Sequence, residues 1–279
     1  VRLLSPADVR SLLDAHGLRP SRALGQNFLA DPNTARRIVR LAGVGPGDRV
    51  LEVGPGVGSL TVALAEAVRP GGEVLALELD RHLVPILSEV LAGEPAVRVL
   101  QGDALTVDYD ELLSGAGPWS MVSNLPYNVA TPLLARLLDD VPQLRLLSVL
   151  VQKEVAERLA ARPGTPDCGA ISVKVAYHAT AAVVGTVPPT VFVPRPKVES
   201  AVARFERRPA PAVDVPSAEV LFGLARAGFA QRRKTLRQAL RPVLGGRVEA
   251  VLGEAGIPPL ARAETLGLEQ WAALARAAA

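Results

Sequence analysis

The stretch RVLEVGPGVGSLTVALAEAV, residues 49–68, decides the fold. A short apolar run leads into three glycines, Gly54, Gly56 and Gly58, and an apolar segment of helical character follows. Glycines let the backbone turn sharply and approach a ligand, and a helix starting at Ser59 turns its first N–H groups towards the same place. Strand, glycine loop and helix make the opening unit of a nucleotide-type site in a parallel sheet. The spacing is G-x-G-x-G with Glu52 ahead of it, which speaks against the G-x-G-x-x-G of a nicotinamide enzyme. Taken alone, the loop is also compatible with a plain tight turn.

The pattern continues downstream. EVLALEL (73–79), VRVLQ (97–101), WSMV (119–122) and LRLLSVLV (144–151) are short Val/Leu-rich runs separated by helix-like segments. Such alternation predicts a parallel sheet covered on both faces. ISVKVAYHA (171–179) and SAVARFE (200–206), joined by the Pro-rich 187–199, are expected to form an antiparallel pair at the sheet edge. The expected fold is therefore α/β: a Rossmann-like sheet of seven strands, the last antiparallel. Upstream, Ser5 with Pro6 and Asp31 with Pro32 open two helices that Gly17 and Gly43 close. RRPAPAVDVPS (207–217) reads as a linker, and only helical segments follow it. The domains expected are 1–207, a sheet domain with an N-terminal helical extension, and 208–279, a small helical domain.

The 279 residues are 49% hydrophobic and 21% charged, enough for a sizeable core. One cysteine excludes an intrachain disulfide, and no apolar run approaches a membrane span, so a cytoplasmic protein is expected. His16, His82 and His178 are scattered without metal spacing, so no metal is expected, and the chain is read as a monomer. A net charge of +3 is too mild to imply nucleic acid by itself.

Two carboxylates give the glycine loop a ligand. Glu78 ends the second strand, where a carboxylate can chelate both hydroxyls of a ribose, and Asp103 follows the third, placed to accept from an adenine amino group. Ligands in such sheets bind at the carboxyl ends of the strands, and the combination points to S-adenosylmethionine. Asp80 is read as the cap of the next helix.

Asn124, Leu125, Pro126 and Tyr127 follow the fourth strand at the same edge. The lone pair of an exocyclic amino nitrogen is delocalised into its ring, so methylating it needs acceptors aimed at the amino hydrogens. The Asn124 side-chain oxygen can be one and the main-chain carbonyl of Leu125 the other, with Pro126 restraining Leu125 to an extended conformation. Tyr127 offers a flat face on which a base stacks, worth about 1–3 kcal/mol. Phe192 is a candidate second wall, with an ordinary core phenylalanine as the competing reading.

These motifs, with LGQNFLAD (24–31), VQKEVAERL (151–159), FVPRPKVESAV (192–202) and FAQRRKTLRQAL (229–240), resemble the small-subunit (16S) ribosomal RNA adenine dimethyltransferases over nearly the whole chain. The resemblance implies transfer of methyl groups to N6 of two adjacent adenosines near the 3′ end of that RNA during ribosome assembly. It also implies cofactor contacts from Asn27 and Leu29, beside Gly54, Gly56, Glu78, Asp103 and Asn124. One departure stands out. Family members commonly show Tyr-Gly-Arg where this chain has CGAIS (168–172).

Residues 226–247 hold seven basic side chains and no acidic one. On a single helical wheel Arg226, Arg233, Arg237 and Arg241 share a stripe, and with Arg232 and Lys234 they are the candidate RNA contacts. Arg22, Arg36, Arg37 and Arg40 extend the candidate surface.

Overall fold

The Val- and Leu-rich runs pair into one sheet. The protein is described by a computed structural model for residues 2–21, 24–115 and 117–279, with the side chains of Tyr127 and Asn128 outside the described set. The strands are β1 (Phe28–Leu29), β2 (Arg49–Val53), β3 (Glu73–Glu78), β4 (Val97–Gln101), β5 (Trp119–Asn124), β6 (Leu144–Gln152), β7 (Ala179–Val187), β8 (Phe192–Val193) and β9 (Ser200–Arg207). Seven of them form the sheet β4-β3-β2-β5-β6-β9-β7, while β1 and β8 make a separate antiparallel ribbon. β2 pairs in parallel with β3 and β5, β3 with β4, and β5 with β6, whereas β9 runs antiparallel to β6. Val50, Leu51, Leu75, Met121, Leu147 and Phe205 are all buried, as strands covered on both faces require. The expected Rossmann-like sheet with its antiparallel closing strand is present.

The chain divides into two compact units: Val1–Ala156 with Ala182–Glu206, and Glu157–Ala181 with Arg207–Ala279. The sheet core belongs to the first. There the helix Pro6–Ala15 starts on a Ser5 capping box, and the helix Pro32–Ala42 starts where the Asp31 side chain accepts from the Thr34 N–H at 2.6 Å. Gly17 and Gly43, at φ 62° and 76°, end them as expected.

Residues 171–179 depart from their expected strand. Ala170–His178 is a helix, and the strand of the sheet is the next segment, β7. Val173, Val175 and Tyr177 mimic strand alternation, but Val173 and Tyr177 are also one helical turn apart. They join Cys168, Leu221, Phe222, Leu240 and Trp271 in the core of the second unit. The Tyr177 ring meets Phe222 edge-on at 5.3 Å. The Gly169 N–H donates to Ser172 Oγ at 2.9 Å, and that hydroxyl donates to the Arg158 carbonyl at 2.6 Å. CGAIS is thus a helix start on a buried cysteine. Tertiary burial overrides β propensity here.

The supposed linker 207–217 is likewise part of the second unit. The Ala212 and Arg208 N–H groups donate to the Tyr177 and His178 carbonyls at 2.9 and 2.8 Å, and Val213 is buried. The helices Ala218–Ala230, Leu236–Leu244, Val248–Glu254 and Leu268–Ala278 complete it. No helix among the described residues is long and apolar enough to cross a membrane.

Candidate active site

β4, β3, β2 and β5 are neighbours in the sheet, so the residues at their carboxyl ends are neighbours too. Gly54 follows β2, Glu78 ends β3, Asp103 lies just past β4 and Asn124 ends β5. They line one pocket of about 250 Å³, with Asn27, Leu29, Gly56, Leu125, Pro126 and Phe192 also in its wall. Every cofactor residue expected from the sequence is brought there.

The glycine loop is shaped by backbone that other residues reach poorly. Gly54, Gly56 and Gly58 have φ of 69°, 63° and 90°. A Cβ on Gly56 would stand 2.8 Å from Phe28 Cδ1. Gly56 donates its N–H to Glu78 Oε2 at 3.0 Å, and Asp80 donates its own to Oε1 at 2.8 Å, so the carboxylate is pinned at both oxygens. Burial raises the Glu78 pKa above the ordinary carboxylate value, against the pull of those two donors. Glu52, only 1% exposed, lines the same pocket, and its Oε2 has no partner among the described residues. Burial, with the Glu78 charge adding to it, pushes its pKa up to about 8. Read as sequence, Glu52 is noted ahead of the glycine loop but given no role. The signal was there, a carboxylate inside the apolar run RVLEV.

The N-terminal motif supplies another part of the pocket wall. Phe28 and Leu29 pair with Val193 and Phe192 across the ribbon, so Phe192, 4% exposed, is carried to the pocket by β8. Phe28 packs on the glycine loop, and Gln26 Nε2 donates to Asp80 Oδ2 at 2.9 Å. Nothing in GQNF read as sequence announces these roles. Asp80 is not the cap of the helix Val84–Val90, which begins beyond it. It accepts from His82 N–H at 3.0 Å in the intervening turn.

Asn124 Nδ2 donates to the Asn27 main-chain carbonyl at 3.2 Å, which tethers the amide of one motif to the backbone of the other. With the NH₂ end so engaged, the carbonyl end of the amide is left as an acceptor. Leu125 continues the sheet through its N–H to the Leu150 carbonyl at 3.1 Å, and its side chain is buried. Pro126, at φ −57° and ψ 139°, leads into the helix Tyr127–Asp140. The Tyr127 side chain lies outside the described residues.

The turn carrying Asp103 is closely held. Asp103 Oδ1 accepts from the Leu105 N–H at 2.8 Å, and its carbonyl accepts from the Thr106 and Val107 N–H groups at 2.9 Å each. Arg136, on the helix Tyr127–Asp140, donates to the Ala104 and Val107 carbonyls at 3.0 and 2.7 Å. Leu79 and Leu105, 52% and 37% exposed, flank the two carboxylates as apolar surface at the pocket.

In the second unit the basic segment is not one helix. Ala218–Ala230 ends at Gln231, with φ −127° and ψ 57°, and a turn precedes the helix from Leu236, so the single stripe is broken. Arg226, Arg232, Arg233, Lys234, Arg237 and Arg241 are all exposed. Arg232 donates to the Pro166 carbonyl at 2.7 Å and pairs with Glu264 at 3.5 Å, and Arg237 pairs with Glu249 at 3.2 Å. In the first unit Arg36 pairs with Glu66 and Arg37 donates to the Thr186 carbonyl, while Arg22 lies outside the described residues. Among the described residues no group of three or more His, Cys, Asp or Glu is placed to hold a metal ion.

Residues 18–279 match the family model of ribosomal RNA adenine dimethylase. The chain is 46% identical to ribosomal RNA small subunit methyltransferase A of Pelotomaculum thermopropionicum, over 97% of this chain and 95% of that one. It is 48% identical to the protein of the same name from Thermobifida fusca, over 98% and 96%. Among solved structures, the 23S rRNA methyltransferase ErmE is similar with a TM-score of 0.67 and 29% identity, over 89% of this chain and 98% of that one. A dimethyladenosine transferase from Plasmodium falciparum shares the fold, with a TM-score of 0.70 at 21% identity over 88% and 95%.

Proposed function

The chain belongs to the ribosomal RNA adenine dimethylase family, and on that premise we propose that it methylates N6 of two adjacent adenosines near the 3′ end of small-subunit ribosomal RNA during ribosome assembly, with S-adenosylmethionine as donor. The observation that carries this reading is the convergence of Gly54, Glu78, Asp103 and Asn124 on one pocket at the ends of four adjacent strands.

The pocket residues suit that cofactor. The Gly56 backbone is bare because Phe28 leaves no room for a Cβ. The Glu78 oxygens, each taking one N–H, keep lone pairs for two ribose hydroxyls. The unpartnered Glu52 oxygen is complementary to an ammonium, and Leu79 and Leu105 offer apolar contact to a purine beside Asp103. Bound S-adenosylmethionine supplies an electrophilic methyl group on sulfur.

The remaining work falls to the chain. The target adenine leaves its stack to enter the pocket, as bases do in other base-modifying enzymes. Tyr127 and Phe192 hold its faces. The Asn124 side-chain oxygen and the Leu125 carbonyl accept from the amino group and stabilise the positive charge that develops on nitrogen. Asn27 keeps the Asn124 amide turned the right way. The product ammonium is acidic enough to lose its proton to water, so positioning is the main contribution. Arg226, Arg233, Lys234 and Arg241, with Arg232 and Arg237, offer positive charge to RNA phosphates in the second unit.

The test is methyl transfer from labelled S-adenosylmethionine to undermethylated small subunits, with large subunits and DNA in parallel, followed by nucleoside identification. N6,N6-dimethyladenosine from the small subunit alone is expected. Label in large-subunit RNA would keep the chemistry and overturn the substrate. No label anywhere would overturn the enzyme.

A further inference from the structure

Arg136 lies on the helix Tyr127–Asp140, where its Nε stands 3.9 Å from Asp140 Oδ2, yet both terminal nitrogens of its guanidinium are aimed at the pocket's wall. It bridges two carbonyls of the Asp103 turn, Ala104 at 3.0 Å and Val107 at 2.7 Å. It also lies over the Tyr109 ring, 5.1 Å from the centroid. Tyr109 is buried, and its hydroxyl donates to the same Ala104 carbonyl at 2.8 Å. One carbonyl thus takes two donors, and the turn between β4 and the helix Tyr109–Leu112 is held by a planar fork. The helix that carries Arg136 begins at Tyr127, directly after Asn124–Pro126. Its side chain is the covalent extension of the base-gripping motif into the loop that reads the cofactor.

We propose that Arg136 is a positioning residue that sets Asp103 for recognition of the cofactor's adenine and couples that turn to the helix Tyr127–Asp140, which follows Asn124–Pro126. The inference rests on the reading of Asp103 given above. A bidentate donor fixes both the height and the orientation of a turn, which a single ammonium cannot do. Ala104 lies next to Asp103, so a shift of its carbonyl moves the Asp103 carboxylate with it. What Arg136 controls is selectivity for the amino group at purine position 6.

The experiment is titration calorimetry with two probes, S-adenosylhomocysteine and S-inosylhomocysteine, the second carrying a carbonyl where adenine has its amino group. The wild type is expected to prefer the adenine form by at least about tenfold, the scale of a lost hydrogen bond at a charged partner. Arg136→Met is expected to weaken the adenine form about tenfold and the hypoxanthine form less than about twofold, so that the preference collapses. Arg136→Lys should fall between, because it restores charge but not the fork. Asp103→Ala should lose the preference, and adding Arg136→Met to it should cost no further selectivity. Equal weakening of both probes by Arg136→Met would show a merely structural role and overturn the proposal. So would an intact preference. If Asp103→Ala itself kept the preference, the Asp103 assignment would fall first and this inference with it. Thermal melts establish folding, and Arg136→Lys carries the comparison if Arg136→Met does not fold.

Discussion

Asn124 donates its side-chain N–H to the Asn27 carbonyl, and its side-chain oxygen is the acceptor proposed for the substrate amino group. Asn124→Ala should weaken cofactor binding a few-fold while methyl transfer falls on the order of 10²–10³-fold, the usual loss for one pre-aimed polar group. Near-normal turnover in that variant would sink the acceptor role. Glu78→Ala should act on the other quantity and raise the cofactor dissociation constant by about 10–100-fold, as expected for a pinned carboxylate. Glu52 adds a pH dependence. Its folded pKa of about 8 lies above the ordinary carboxyl value, so the folded, ligand-free protein holds a proton that the unfolded chain releases. The stability this contributes is full at low pH and is lost as pH rises through about 8; Glu78, also raised, acts in the same direction. Melting temperature should therefore decline between pH 5 and 8, and Glu52→Gln should remove most of that slope. At this scale the sequence was legible in placement, since Glu78 and Asp103 both reach the pocket from strand ends as the pattern expected. It was silent where partners come from far along the chain, as for Asn27 with Asn124, 97 positions apart.

Elements read well when local signals agreed. The Ser5 and Asp31 caps, the glycine stops, and the strand before and the helix after the glycine loop all stand where the pattern placed them. They read badly where burial decided between two locally acceptable states, as in Ala170–His178, or where two helices with a turn imitate one wheel, as from Ala218 to Leu244. The ribbon of β1 and β8 was not legible at all, since two residues per strand carry no periodicity. The glycine loop gives the test proper to an element. Gly56→Ala pays for φ 63° and for a Cβ 2.8 Å from the Phe28 ring, whereas Gly47→Ala pays only for φ 82°, with nothing within 4 Å. Urea unfolding should show a loss of about 1 kcal/mol for Gly47→Ala, the left-handed backbone cost alone. Gly56→Ala should lose about 1–3 kcal/mol more from overpacking. It should also weaken cofactor binding, and equal losses would mean that Phe28 gives way freely.

At the scale of the molecule, the expected boundary at 207/208 misses that Glu157–Ala181 belongs with the C-terminal helices. Sequence order conceals this, because a segment between two strands is naturally assigned to their sheet. The consequence can be measured. A chain ending at residue 206 keeps Cys168, Val173 and Tyr177 but loses Leu221, Phe222 and Trp271, against which they are packed. It should bind a hydrophobic dye and elute as oligomers, and replacing residues 157–181 by a short polar linker should restore a monomeric profile. Identical behaviour of the two truncated forms would refute the division. The same division sets a timetable during synthesis. Glu157–Ala181 leaves the ribosome ahead of Arg207–Ala279, and at roughly 5–20 residues per second the wait lasts on the order of ten seconds. For the part of that interval after β9 (Ser200–Arg207) has emerged, the nascent chain carries all seven sheet strands and an unfinished helical core, a window in which chaperones have something to hold.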